Sequence, residues 1–313
     1  MKGKVLLFLF LSIFLERRAE SAWIWTPESG RWINPKYSVK DTPQEQYEWA
    51  MRLVDLGEYH QAIKRFRQLI KRFPQSPYAP KSQLGIGLAY EKAGKIEKAV
   101  EEYQKMAETY PYSPDISEVI EAEYRLGDML LNREGGDVWQ KIATYEGNYE
   151  RAAKIFEQAI KISPFNPRAA EMQYKSGEAY FKAQKYEEAI AQYKKVLDNY
   201  KESEWVDEAT FKLGLCAETE GLDTLRDQTK TEEAIQWFSE YLKKYPAGDK
   251  TKEVKERLTA LLDKKARKIY ETGEYYEKNG DKESAFIYYR RLLRELPETN
   301  WAEKARQKIN ELK

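Results

Sequence analysis

The sequence predicts an all-α protein, a right-handed α-solenoid of about six helix pairs closed by a C-terminal capping helix. Two recurring phrases and one long apolar period carry that prediction. The first phrase is a Gly, an Ala five residues on, an aromatic four later and a Pro eight later. It reads Gly57, Ala62, Phe66, Pro74, then Gly94, Ala99, Tyr103, Pro111, then Gly147, Ala152, Phe156, Pro164. Partial copies centre on Ala189/Tyr193, Ala234/Phe238/Pro246 and Ala285/Tyr289/Pro297. The second phrase is Leu-Gly or a close variant, at Ile86-Gly87, Leu126-Gly127, Ser176-Gly177, Leu213-Gly214 and Thr272-Gly273, with an aromatic three residues later at Tyr90, Tyr180 and Tyr276. The apolar period runs from Val254 through Leu258, Leu261, Leu262, Ala266, Ile269 and Tyr270 to Gly273 and Tyr276 at helical spacing.

Together the phrases are the two halves of a tetratricopeptide (TPR) helix pair. The small residues allow two helices to cross closely, and the aromatic fills the gap beside the crossing. The mid-repeat Gly closes the first helix, and the Pro opens the loop where the second cannot continue. A single pair cannot bury its apolar face, so stacked pairs share one core.

Residues 1–21 read as a signal peptide. Lys2 and Lys4 precede the apolar run Val5–Leu15, and Ala19-x-Ser21 offers small residues for cleavage. Residues 22–41 are a Trp-rich extended arm with Trp23, Trp25 and Trp32, in which Pro27, Gly30 and Pro35 prevent a helix. The arm either caps the core of the first repeat or anchors on a partner or a membrane interface, where an apolar ring with a polar N–H is favoured. The first helix starts at Thr42-Pro43, an N-cap followed by Pro at the first helical position.

Residues 42–115 hold TPR 1–2 and residues 116–202 hold TPR 3–4. Ala62 to Ala99 and Ala152 to Ala189 are each 37 residues, but Ala99 to Ala152 is 53, so 131–146 is an insertion carrying Gly135-Gly136 and Trp139. TPR 5 spans 203–250 with a polar insertion at 222–230. Residues 251–313 hold one long helix from about Thr251 to Asn279, TPR 6 and a capping helix from about Thr299 to Leu312, whose Trp301 should pack onto repeat six.

Charged residues make up 34% of the chain, 53 basic against 52 acidic, and this balance argues against nucleic acid as a partner. No catalytic, metal or cofactor site is expected. His60 stands alone in a turn, without a second His or a Cys at metal-ligand spacing. Cys216 is the only cysteine, has no His partner and reads as a small buried hydrophobe, so no intrachain disulfide can form. The adjacent carboxylates Glu101-Glu102, Glu187-Glu188 and Glu232-Glu233 fit solvated helix faces.

What remains is a peptide-binding groove. The fifth residue of each first helix points to the concave side, and here those residues are Tyr47, Leu84, Tyr124, Tyr174, Phe211 and Tyr270. Met51 and Leu88 neighbour them, followed by Asp128, Glu178, Leu215 and Glu274 further on. An aromatic ladder suits an extended peptide, and then Tyr47, Tyr124 and Tyr174 should be accessible. Alternatively the rings pack between repeats.

The stretch Tyr59–Ala79, with Phe73-Pro74-x-Ser76-Pro77, and the stretch Gly94–Pro114, ending Tyr110-Pro111-Tyr112-Ser113-Pro114, resemble the first repeats of the BamD family. Lys264–Leu312, with Gly280, Ala285, Tyr289 and Pro297, resembles its last repeats. BamD is the TPR component of the outer-membrane β-barrel assembly machinery. The resemblance implies a periplasmic scaffold, peripheral to the outer membrane, whose partners are β-barrel assembly components or unfolded outer-membrane proteins. The chain departs from the family in lacking a Cys after the apolar run, so no lipid anchor is expected, and in its two insertions. TPR adaptors of the Tol-Pal and cell-division systems share the aromatic-Pro-x-Ser ending and form the alternative.

Overall fold

The computed structural model describes residues 24–26, 31–33, 40–132, 145–223 and 228–312. Among these are two short strands, β1 (Ile24–Thr26) and β2 (Arg31–Ile33), and thirteen helices. The helices are α1 (Pro43–Asp55), α2 (Tyr59–Arg72), α3 (Tyr78–Lys92), α4 (Ile96–Thr109), α5 (Ile116–Leu131), α6 (Tyr145–Ile162) and α7 (Ala169–Lys182). They continue as α8 (Tyr186–Asn199), α9 (Trp205–Asp223), α10 (Gln228–Lys244), α11 (Thr251–Lys278), α12 (Lys282–Glu295) and α13 (Asn300–Leu312). Odd-numbered helices are the first members of successive TPR pairs, and α13 is the cap. The fold is an all-α TPR solenoid. It divides into two compact units, residues 1–119 and 120–313.

Local chemistry sets the helix ends. Thr42 caps α1, its hydroxyl accepting the Glu45 N–H at 3.2 Å, with Pro43 next. The turns inside four pairs share one geometry. Glu58, Lys95, Lys185 and Asp281 each donate their N–H to the carbonyl five residues back, at Leu53, Tyr90, Tyr180 and Tyr276. That closure needs a left-handed residue just before the donor. Gly57, Gly94 and Gly280 supply it at φ 76°, 71° and 81°, but in the fourth pair the position is Gln184 at φ 60°. A side chain strains this conformation. Gln184→Gly is therefore expected to raise stability by about 0.5–1 kcal/mol, read as a higher denaturation midpoint.

The core is made by rings seated on glycines. A Cβ built at Gly85 would lie 2.5 Å from the Phe66 ring, at Gly87 2.3 Å from Tyr103, and at Gly127 2.8 Å from Phe156. Gly177 against Tyr193, Gly214 against Phe238 and Gly273 against Tyr289 repeat the device at 2.6, 2.4 and 2.7 Å. Ala62, Ala99, Ala152, Ala189, Ala234 and Ala285 are all fully buried beside these rings. Where the ring is Tyr, its hydroxyl donates to a Glu near the end of the preceding first helix. Tyr103 reaches Glu91 at 2.7 Å, Tyr193 reaches Glu178 at 2.8 Å and Tyr289 reaches Glu277 at 2.7 Å. Where the slot holds Phe66, Phe156 or Phe238, there is no hydroxyl to satisfy.

The two ends stand differently against expectation. At the C-terminus, α11 is one helix from Thr251 to Lys278, and Trp301 of α13 packs 5.4 Å from Tyr270, centroid to centroid. At the N-terminus, the described arm residues Trp25 and Trp32 do not bury against the first repeat. β1 and β2 form an antiparallel ribbon with Trp25 opposite Trp32, and both side chains are exposed, at 49% and 64%. Trp23 lies outside the described residues, as do 133–144 and 224–227 within the two insertions. The capping ring is instead Trp49, on α1. It packs on the first core cluster, with the guanidinium of buried Arg65 4.1 Å and the ammonium of Lys40 5.0 Å from its ring centre. A guanidinium on an indole face offsets the burial of its charge.

Candidate functional site: the face formed by the first helices

In the first unit, Tyr47 and Met51 come from α1, and Leu84 and Leu88 from α3. All four are half-buried. Tyr47 sits 5.8 Å from Phe66 and 5.5 Å from Tyr78, so one edge of its ring serves the core and the other stays accessible. Met51 and Leu88 border the same core cluster. Among the described residues no ion pair joins α1 to α3. The strip is therefore apolar, half-buried and backed by packed rings.

In the second unit the same positions are occupied. Tyr174 is 8% exposed, held 5.6 Å from Tyr193 and 4.8 Å from Trp205. Phe211, 3% exposed, packs on Phe238 and Tyr241, and Tyr270, 7% exposed, on Tyr289 and Trp301. Of the two readings of the sequence, an accessible ring or one packed between repeats, Tyr174 follows the second. The ring wedges between its own second helix and the first helix of the next pair, so burying it is what joins the pairs. Tyr124 is half-buried but engaged. Its hydroxyl donates to Glu171 at 2.6 Å and accepts from Lys175 at 2.7 Å, and Arg168 lies 4.5 Å from its ring centre.

Beyond Tyr124 an ion-pair ladder joins consecutive first helices. Asp128 of α5 meets Lys175 of α7 at 2.5 Å, and Glu178 of α7 meets Lys212 of α9 at 2.6 Å. Glu218 of α9 meets Arg257 of α11 at 2.8 Å, and Glu277 of α11 meets Lys308 of α13 at 3.1 Å. Sequence reasoning read Glu178 as an acidic groove residue and missed that a base one repeat later neutralises it. Burial raises the Glu277 pKa, but the Tyr289 hydroxyl and the Lys308 ammonium outweigh it, leaving the carboxyl below the ordinary glutamate range. A depressed folded-state pKa contributes stability that is present above the unfolded value, about 4.3, and lost as pH falls through the folded value. Acidification below about pH 4 should thus lower the melting midpoint of the parent more than that of Glu277→Gln. Equal acid sensitivity of the two proteins would count against the rung.

A second row escaped notice in the sequence. Gln46, Gln83 and Gln173, each one residue before the groove position, are buried and reach the second helix of their own pair 19 residues on. Gln46 donates to the Arg65 carbonyl at 3.0 Å, Gln83 to the Glu102 carbonyl at 3.1 Å and Gln173 to Gln192 Oε1 at 2.6 Å. The recurring Gln before the groove residue was the available signal. These bonds hold the two helices of a pair at one register, which in turn positions the exposed strip.

No group of His, Cys, Asp and Glu that could hold a metal occurs among the described residues. Cys216 is fully buried, and burial pushes its thiol up to about 12, so the nucleophilic thiolate is not populated near neutrality. No described helix is long and apolar enough to cross a membrane.

Stacked helix pairs with a half-buried apolar strip define the class, a TPR scaffold. The chain belongs to the YfiO family of outer membrane lipoproteins, whose family model matches residues 140–311, and a tetratricopeptide repeat model matches residues 47–114. It is 22% identical over 147 residues to the outer membrane protein assembly factor BamD of Caulobacter vibrioides, covering 47% of this chain and 48% of that one. It is 25% identical to a TPR repeat-containing protein of Methanocaldococcus jannaschii, covering 46% of this chain and 29% of that one. The chain thus spans about half the length of the first relative and less of the second. Similar solved structures include a tetratricopeptide repeat protein from Parabacteroides merdae, at TM-score 0.34 and 16% identity over 86% of this chain and 98% of that one. PilW, a type IV pilus biogenesis factor, matches at TM-score 0.31 and 15% identity over 85% and 98%.

Proposed function

We propose that this protein is a non-enzymatic periplasmic scaffold of outer-membrane protein assembly, and that its first unit receives an extended apolar segment of a partner protein. One observation carries the reading. The strip of Tyr47, Met51, Leu84 and Leu88 is apolar and crossed by no ion pair among the described residues, whereas the corresponding face of the second unit is closed by buried rings and the charge ladder. Exposed apolar side chains on a rigid backing give contact area at small entropic cost. Membership of the YfiO family and the similarity to BamD supply the assembly context.

The test is titration calorimetry with a peptide copying a C-terminal strand of an outer-membrane barrel protein and ending in an aromatic residue. Leu88→Ala and Met51→Ala should each weaken binding by about 1–2 kcal/mol, the range of interface anchors, and change stability less than a buried core truncation does. Unchanged affinity in both variants would reject the strip as the receiving surface. In cells, depletion should reduce mature outer-membrane barrels. Chaining or septal defects with normal barrels would favour an adaptor of the Tol-Pal and cell-division type instead.

A further inference from the structure

The face of the first unit formed by α2 and α4 carries a second surface that the apolar strip does not explain. Helix α2 holds five Lys and Arg residues and His60 but no Asp or Glu, in a chain that is otherwise balanced at 53 basic and 52 acidic. His60, Lys64, Arg67 and Lys71 follow at spacings of four, three and four, which puts them on one side of the helix. Lys95 and Lys98, at the start of α4, line the opposite wall of a cleft of about 530 Å³. No carboxylate is among the residues that line it. Arg67 is bridged to Glu102 at 2.8 Å, but Lys64, Lys71 and Lys95 are exposed and make no ion pair among the described residues. Tyr59 and Tyr90 provide the aromatic part of the lining.

Like charges gathered within about a Debye length of roughly 8 Å repel one another, and a complementary anion relieves that repulsion. The second unit shows the opposite habit, matching acid to base from helix to helix. We propose that this cleft docks an extended acidic segment of a partner protein. The arrangement of the cations selects that occupant. Lys64 and Lys71 stand about 10 Å apart along the helix axis, a row and not a convergence on one point. A phosphate group needs donors that converge. Carboxylates on alternate residues of an extended chain recur every ~7 Å and can serve a row from one wall to the other. A lipid surface is planar, whereas these cations stand on the two walls of a cleft. The inference concerns a different face from the apolar strip and holds whatever that strip receives.

Fluorescence anisotropy on the full chain tests it, with a labelled peptide of alternating Glu and Ser and its Gln-for-Glu counterpart. The Glu peptide should bind, weaken as salt rises and outbind the Gln peptide. The double variant Lys64→Glu/Lys71→Glu should weaken it about tenfold or more, while Lys243→Glu, an exposed change on α10, should leave it unchanged. Melting curves verify that both variants stay folded. Equal binding of the two peptides, or indifference to the double variant, overturns the proposal. So does binding to phosphatidylglycerol vesicles or pyrophosphate that the double variant abolishes while the Glu peptide fails to bind, and that result would assign the cleft to phosphate groups.

Discussion

Tyr174→Ala is expected to destabilise the second unit by about 3–5 kcal/mol, the cost of removing a large buried ring. The ring is 8% exposed and joins three helices at once: α7, which carries it, α8 through Tyr193 and α9 through Trp205. Each pair in a solenoid is held mainly by its neighbours, so a lost interface ring weakens the repeats on both sides. Burial raises the phenol's pKa, with nearby Glu178 adding to the effect, so it stays protonated and no charge complicates the comparison. Urea unfolding followed by circular dichroism reads the effect. A loss below about 1 kcal/mol would place the ring on the surface and restore the aromatic groove as first expected. Leu88→Ala, measured alongside, separates the two roles, because it should lose affinity and keep most of its stability.

Gly87→Ala should also be destabilising, although it adds one methyl group. In an exposed helix the same change would stabilise by roughly 1 kcal/mol through helix propensity. Here the added Cβ would stand 2.3 Å from Cε1 and 2.4 Å from Cδ1 of Tyr103. That ring cannot retreat cheaply. It is 1% exposed, and its hydroxyl is bonded to Glu91 at 2.7 Å. Overpacking of this kind costs about 1–3 kcal/mol, so the net change should be a loss. A Gly57→Ala control separates packing from backbone strain. Nothing lies within 4 Å of a Cβ there, and the penalty comes from φ 76° alone. If Gly87→Ala raised the melting midpoint, the ring-on-glycine register would be wrong.

The helix pairs, the cap on α1, the single long α11 and the docking of Trp301 were legible in the sequence. Each rests on a short-range rule: a Gly that closes a helix, a Pro that cannot continue one, an apolar period that repeats. The small slots were legible for the same reason, since an aromatic at fixed spacing from a Gly has one place to go. Gln184 was not, because a left-handed turn residue other than Gly leaves no mark in the pattern.

The candidate site depended on pairings the linear sequence does not display. Tyr47 and Tyr174 hold the same slot of the repeat, yet one stays half-open and the other is buried. Each meets a ring thirty-one residues on, Tyr78 at 5.5 Å and Trp205 at 4.8 Å, and the larger indole lies closer over Tyr174. Glu178 reads as an exposed acid until Lys212 is set beside it. The balanced overall charge likewise hid the basic row on α2, whose meaning appears once Lys95 and Lys98 face it across a cleft. Spacing along the chain determined which residues form helices and which face of each helix is apolar. Which parts of that face remain open to a partner was decided only by stacking, because burial and charge pairing depend on side chains a whole repeat away.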